Sequence, residues 1–271
     1  MFVIISGSSG VGKNTIINRL LERYSDLKFM PTFTTREKRE NEHQGNPYFF
    51  VSPQEFRAMI DRGELFEHQL THNNYYGVSK RLLLDMAASG ATLIKDIDVL
   101  GTANLQRALA GQIQVLAVFY YVASRDVLAE RLRERGEREI GLRMERYSME
   151  MGLSGGYDYL IENNDIEKTL SLTRAAIDFE ASHACLLSAQ PPAALDRGGL
   201  GALMERAKGG ERLPGIDVAV NGSDICVVDG LDRYLASAAV GAGIAKRIVD
   251  YDFAGPPYRL REALAELAAQ A

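Results

Sequence analysis

Cysteine is nearly absent: Cys185 and Cys226 are the only two in 271 residues, and their spacing suits no metal site. That excludes a disulfide-stapled secreted scaffold and fits a reducing compartment. Histidine is scarce as well. His68 and His72 stand four residues apart with no third ligand in view, so no metal site is expected there. No apolar run approaches the ~20 residues of a membrane-spanning helix, and no signal-peptide hydrophobic stretch precedes the first strand. A cytoplasmic protein with no membrane partner is expected. Basic charge is not in surplus: 31 Lys and Arg face 36 Asp and Glu, a net charge of −5. That disfavours nucleic-acid binding, because holding a phosphate backbone takes a basic surface. There is no internal repeat.

Against these shortages stand an ordinary globular composition, 46% apolar and 25% charged, and a length that could hold two domains. The most informative segment is residues 7–15, Gly-Ser-Ser-Gly-Val-Gly-Lys-Asn-Thr, directly after the apolar run Phe2-Val3-Ile4-Ile5. A buried strand running into a glycine-rich turn and then a helix is the context of a phosphate-binding loop. Gly7, Gly10 and Gly12 let the backbone turn tightly, so that successive N–H groups across Ser8, Ser9 and Val11 point at one anion. A helix starting near Thr15 adds the positive end of its dipole, and Lys13 can reach the β- and γ-phosphates. Ile16, Ile17, Leu20 and Leu21 form that helix's packing stripe. An ordinary glycine-rich strand–helix turn is the alternative; the lysine at this spacing argues against it. A nucleoside triphosphate is the expected ligand. Asn14 stands where a Ser or Thr hydroxyl usually ligates Mg2+, so metal contact would pass through water or shift to Thr15.

Through the first ~180 residues strand-like and helix-like segments alternate, as in an α/β parallel sheet. A polar stretch (Thr34 to Asn46) is followed by Tyr48–Ser52 and by a helix from Pro53 to Arg62 that ends at Gly63. Strands are expected at Ala91–Ile97, Gln114–Val122 and Tyr159–Ile161. Ser124 caps a helix reaching Arg135, with Val127, Leu128 and Leu132 on one face. A helix from Ile166 to Ala181 closes the unit. Residues 182–199, with Pro191-Pro192 and Gly198-Gly199, read as a linker.

The polar stretch and its sequel carry a second set of anion-binding groups, Arg36, Arg39, Tyr48 and Tyr76. Guanidinium forks bind phosphate bidentately and phenol hydroxyls donate to it. The lone carboxylate Glu67 could accept from the N1–H and exocyclic amine of guanine. Adenine, with an acceptor at N1, would be rejected. In order the chain shows the loop at 7–15, Thr34-Thr35-Arg36 with Arg39, Tyr48-Phe49-Phe50-Val51-Ser52, Glu67 before Asn74-Tyr75-Tyr76-Gly77, and Asp96-Ile97-Asp98. At these motifs it resembles the guanylate kinase family, over roughly residues 1–180.

That resemblance implies an α/β fold of the P-loop nucleoside-monophosphate kinase type, with ATP and Mg2+ as cofactors and GMP or dGMP as acceptor. It assigns the acceptor phosphate to Arg36, Arg39, Tyr48 and Tyr76, and the guanine edge to Glu67 and Thr32. Asp96 and Asp98 fall to the acceptor nucleoside or the Mg2+ shell. Arg131, Arg135 and Arg143 resemble lid arginines that spread charge on the migrating phosphoryl group. A solvated face with Glu130 and Glu134 is the alternative for Arg131 and Arg135. Lid closure is expected to exclude water. Tyr157-Asp158-Tyr159 and Asn163-Asn164 resemble the family's late strand and adenine-side loop, and Tyr75 reads as packing. Departures accompany the match: Asn14, Asn41, Pro47, Leu100, a Val78 where a small hydroxyl residue is usual, and a short segment from Gly136 to Arg143. They suggest a diverged member and admit a deoxy- or modified guanine nucleotide as acceptor.

Residues 200–271 read as a separate compositional block. A helix (Leu200–Ala207) precedes strands at Ile216–Val220 and Ile225–Val228, joined by an Asn221-Gly222 hairpin turn. Next come a helix starting within Asp229-Gly230-Leu231-Asp232-Arg233 and a strand near Ala245–Tyr251. The Asp-Gly segment resembles the ParB/sulfiredoxin-like motif, which binds phosphate or nucleotide at a helix N-terminus, and so implies a small α+β C-terminal domain. Asp232 replaces the family's histidine and puts negative charge at the anion position. A structural turn capped by Asp232 is the equal alternative, Arg233 is the residue to test for phosphate contact, and nuclease activity is not expected.

The expectation is therefore a guanylate-kinase-like domain at 1–181, a linker at 182–199 and a ParB/sulfiredoxin-like domain at 200–271. Two rivals to a guanylate-type kinase stand. One is a non-catalytic binding module, which Gly7, Gly12 and Lys13 argue against. The other is a P-loop kinase of another phosphorylated acceptor such as a sugar phosphate, which would have no use for Glu67.

Overall fold

The computed structural model describes all residues except 72, 138, 183–186, 189–196, 222–223, 240–243, 250–257 and 260–271. Two compact units emerge: Met1–Gly7 with Gly12–Ala117, and Ser8–Val11 with Val118–Ala271. In chain order the first holds β1 (Phe2–Ser6), α1 (Lys13–Arg23), β2 (Leu27–Phe29), β3 (Thr32–Thr34), β4 (His43–Gln44), β5 (Pro47–Phe50), α2 (Pro53–Asp61), β6 (Leu65–Thr71), β7 (Asn74–Ser79), α3 (Lys80–Ala88), β8 (Thr92–Asp96) and α4 (Val99–Leu109).

β1 is buried along its whole length, as a continuous apolar run in a covered parallel sheet should be. It pairs in parallel with β8, which pairs in parallel with β2. Helix α1 starts at Lys13, two residues before the apolar pattern indicates, because Gly12 closes the loop at φ 95°. Ile16, Ile17 and Leu20 bury its inner face. Serine hydroxyls cap the next two helices: Ser52 accepts from the Glu55 N–H at 3.1 Å and Ser79 from that of Leu82. One core cluster gathers Phe2, Ile4, Met30, Val78, Leu83, Leu93, Leu105 and Leu109, each burial worth about 2 kcal/mol of transfer free energy.

A second sheet, of order β4-β5-β3-β7-β6, occupies the stretch that sequence reading leaves mostly without elements. Its apolar face carries Phe33 and Phe49, stacked at 5.0 Å, and packs near a small core of Phe56, Met59 and Leu65. Tyr75 stacks on Phe56 at 5.3 Å, the packing role expected of it.

The second unit continues with β9 (Val115–Tyr121), α5 (Arg125–Glu134), α6 (Ile140–Gly152), β10 (Tyr159–Glu162), α7 (Ile166–Ser182), β11 (Leu187–Ser188), α8 (Arg197–Lys208), β12 (Ile216–Asn221), β13 (Asp224–Asp229), α9 (Leu231–Ala239), β14 (Lys246–Ile248) and β15 (Tyr258–Arg259). β14 pairs in parallel with both β10 and β12, so the strands after residue 200 extend the β9–β10 sheet. The Lys246 ammonium adds to this seam, 3.3 Å from Glu180 and 4.6 Å from the Tyr159 ring centroid. Apolar strands need a covered edge, and the free edge of β10 supplies it. The compact units part at Ala117/Val118, while the expected linker is 182–199. Of that expected linker, Leu187–Ser188 forms a strand and Arg197 begins α8. Pro191-Pro192, Cys185, His72, Gly222 and Tyr251 lie outside the described residues. No described helix is long and apolar enough to cross a membrane, and no group of described residues could hold a metal on histidine, cysteine and carboxylates alone.

Candidate active site

Register brings together the residues expected on the acceptor side. Thr32 pairs with Tyr48 and Thr34 with Tyr76, while Glu67 pairs with Val78. Together with the end of β8 these strands enclose a cavity of about 190 Å3, lined by Thr32, Tyr48, Glu67, Gln69, Thr71, Tyr76, Gly77, Val78, Lys95, Asp96, Ile97 and Asp98. Side chains two apart share a face, so Glu67, Gln69 and Thr71 line the cavity while Leu70 is 61% exposed.

Glu67 is 9% exposed, and its Oε1 is buried with no hydrogen-bond partner. Burial pushes its carboxyl up to about 7; the charge of Asp98 adds to the rise and Gln69 opposes it. Asp98 Oδ1 accepts from the Gly101 N–H at 2.8 Å, capping α4, and from Gln69 Nε2 at 3.0 Å. It therefore positions Gln69 and α4. Val78 is 2% exposed and gives the cavity an apolar wall.

A second cavity, about 430 Å3, is lined by Asn14, Ile17, Asn18, Phe29, Arg36, Arg39, Glu42, Asn46, Pro47, Tyr48, Tyr76, Lys95 and Asp96. Arg36 is the organised group here. Its Nη2 donates to Glu42 Oε1 at 2.7 Å and Oε2 at 2.9 Å, and the guanidinium lies 5.4 Å from the Tyr48 ring centroid and 5.5 Å from that of Phe50. The Arg39 backbone N–H donates to the same Glu42 carboxylate at 2.9 Å. Glu42 thus folds the loop that presents both arginines, a role the sequence spacing does not reveal. Hydrogen bonding to Arg36 holds the Glu42 carboxyl below its ordinary range. Tyr48 and Tyr76 meet edge to face at 5.7 Å. Burial, with Asp96 adding to it, raises the Tyr48 phenol, so its hydroxyl stays a donor at any working pH.

In the loop, Gly7, Gly10 and Gly12 all have positive φ, at 132°, 91° and 95°. A side chain at Gly10 would also stand 2.9 Å from Leu132 Cδ2 and 3.0 Å from Leu128 Cδ1, so glycine is required twice over. Lys13 Nζ donates back to the Gly7 carbonyl, an ammonium folded over its own loop. The Ser8 hydroxyl donates to the Glu150 carboxylate, which also accepts from Arg146 Nε at 2.8 Å. Asn163 Nδ2 donates to the Val11 carbonyl at 2.6 Å, and Thr169 donates to Asn163 Oδ1 at 2.9 Å. Ser9, Asn14 and Thr15 are exposed. The side-chain oxygens of Asn14 and Thr15, with the Asp96 carboxylate, are the hard donors that Mg2+ takes alongside retained waters; the residues fit that ion.

The lid candidates differ among themselves. Arg131 Nη1 donates to the Asn163 carbonyl at 2.9 Å, so it steadies the segment that holds Val11. Arg135 is the exposed C-cap of α5. Arg143 is half-buried with its Nε 3.3 Å from Glu137. At the Asp-Gly segment, Arg233 pairs with Asp229 at 3.0 Å and folds over Gly230, where a Cβ would collide with its guanidinium. That is a turn braced by its own residues.

Sequence reading passes over Gln69, Thr71 and Lys95 in the first cavity, and Gly101 beside it. Gly101 has a signal in principle: a Cβ there would lie 3.2 Å from Glu67 Oε1 and 3.2 Å from Gln69 Nε2.

Comparison with known proteins follows the same lines. A sequence model described as guanylate kinase matches residues 1–180. A guanylate kinase of Syntrophus aciditrophicus is 35% identical over 197 residues, covering 72% of this chain and 94% of its own. One of Chlorobium luteolum is 36% identical over 178 residues, covering 65% and 89%. The crystal structure of guanylate kinase from Anaplasma phagocytophilum superposes with a TM-score of 0.53 at 28% identity, covering 66% of this chain and 85% of that one.

Proposed function

The chain belongs to the guanylate kinase family, and from that premise we propose that it transfers the γ-phosphoryl group of ATP to GMP or dGMP. The observation that carries the reading is the buried Glu67 carboxylate whose Oε1 lacks a partner. An ionised carboxylate with an open oxygen accepts two parallel N–H donors, and the N1–H and amine edge of guanine offers them. Thr32 supplies a hydroxyl to the same cavity, and Val78, paired with Glu67 across β6 and β7, adds apolar lining.

Arg36 and Arg39, with the hydroxyls of Tyr48 and Tyr76, hold the acceptor phosphate in this proposal. The loop N–H groups and Lys13 hold the donor phosphates, releasing the Gly7 carbonyl to do so. Mg2+, when bound through Asn14, Thr15 and Asp96, neutralises charge on the donor phosphates. Arg131, Arg135 and Arg143 take the charge-spreading role that the resemblance assigns to them. Catalysis then rests on positioning and electrostatics, with no covalent intermediate. The cytoplasm, expected from cysteine usage, is the proposed location.

Glu67→Gln tests the reading. An amide keeps one acceptor and turns a second donor against guanine, so kcat/KM for GMP should fall by at least ~100-fold, about 2.7 kcal/mol. A sugar-phosphate kinase would be unaffected, and unchanged GMP turnover in this variant would end the guanine reading.

A further inference from the structure

We propose that Lys95 is a direct cationic contact for the acceptor's phosphate, reaching it from beneath the Tyr48 ring and adding to Arg36, Arg39, Tyr48 and Tyr76. The inference rests on the acceptor reading above.

Lys95 projects from β8 and is 2% exposed. Its ammonium lies between two rings, 4.4 Å from the Phe29 centroid and 4.3 Å from that of Tyr48. Asp96 is 3.6 Å away, within ion-pair range but beyond a hydrogen bond. Nζ is buried with no hydrogen-bond partner. An ammonium carries three donors, and burying it with none satisfied is among the most costly arrangements a side chain can adopt. Two ring faces and one ion pair offset only part of that. Packing does not explain it, since an apolar side chain would fill the same slot without the penalty.

Position supplies the explanation. Among the described residues, Lys95 is the one cation that lines both cavities of the acceptor side, with Tyr48, Tyr76 and Asp96. The phosphate-side cavity is lined by three cations, Arg36, Arg39 and Lys95, and two carboxylates, Glu42 and Asp96. Without Lys95 the lining charge would be two against two, a neutral wall for a phosphate monoester that carries close to two negative charges. Glu42 already takes Nη2 of Arg36 and the Glu37 carbonyl its Nη1, so a third cation restores the positive excess.

The test compares GMP with guanosine, which lacks the phosphate. Binding of each is measured by calorimetry to wild type, Lys95→Met, Lys95→Gln and Lys95→Arg, with thermal unfolding of each unliganded protein. Loss of a charge-assisted phosphate contact should weaken GMP by about 10- to 100-fold in the Met and Gln variants. Guanosine should stay within about twofold, since its cavity contacts are kept, and Arg should recover part of the GMP affinity. Unliganded stability should hold or rise on removing the buried charge. GMP binding unchanged in both neutral variants would overturn the proposal. Equal weakening of GMP and guanosine would overturn it too, by showing that Lys95 only shapes the cavity. Wild type that binds neither would overturn the acceptor reading itself.

Discussion

Glu67 and Asp98 line one cavity, and the charge on Asp98 adds to burial in raising the Glu67 carboxyl to about 7 from an ordinary 4.5. Guanine needs the ionised form, because only that form accepts two N–H donors without offering one back. Guanosine affinity should therefore fall as pH drops below about 7, approaching tenfold per unit. Guanosine is the right probe because a nucleotide phosphate titrates in the same window. In Glu67→Gln the dependence should vanish. Stability follows the opposite sign: a raised carboxyl favours the folded state fully below its unfolded pKa, and that contribution is lost as pH rises through about 7. Calorimetric titration and denaturant unfolding between pH 5 and 8 read both.

Lys13→Ala should abolish phosphoryl transfer while leaving the fold intact. The side chain is half-exposed, and its hydrogen bond to the Gly7 carbonyl is worth about 1 kcal/mol of stability. Its charge, by contrast, meets the β- and γ-phosphates in the proposed function. Steady-state rates and a far-UV melting curve on the same preparation separate the two effects.

Gly101→Ala should raise KM for GMP at least ~10-fold with the KM for ATP unchanged. The added methyl would lie 2.9 Å from Ile97 Cγ2 and 3.2 Å from both Glu67 Oε1 and Gln69 Nε2, crowding the guanine reader. Separate substrate titrations of the variant check this.

Gly10→Ala should lower stability by about 2 kcal/mol or more, from its φ of 91° and from the clash with Leu128 and Leu132. ATP affinity should fall with it, since the same distortion turns the loop N–H groups. Urea unfolding and nucleotide titration measure the pair.

The phosphate loop was legible because its chemistry is local: strand, glycines and lysine are contiguous. The helices capped by Ser52 and Ser124 were equally plain, since cap and apolar stripe lie within one turn or two. The mixed sheet was not. β6 and β7 turn Glu67, Gln69, Thr71 and Tyr76 toward a cavity, so polar residues stand where a strand pattern would have apolar ones. Lys95 was invisible for a related reason: a lysine next to Asp96 reads as surface charge, and only the packing of Phe29 and Tyr48 shows it buried. Asp98 lines the cavity as its spacing suggests, but that its Oδ1 also caps α4 and holds Gln69 is a tertiary contact that spacing does not carry. The pairing of β10 with β14 was not legible either, because the two strands lie far apart in sequence and composition cannot report such pairing.

The most direct measurement is ADP release with ATP and Mg2+ across GMP, dGMP, AMP, CMP, UMP, dTMP and ribose phosphates. Turnover confined to GMP and dGMP, and lost in Glu67→Gln, is the predicted result. Comparable turnover with AMP or a ribose phosphate, or ATP binding with transfer to none of them, would contradict a guanine-reading kinase.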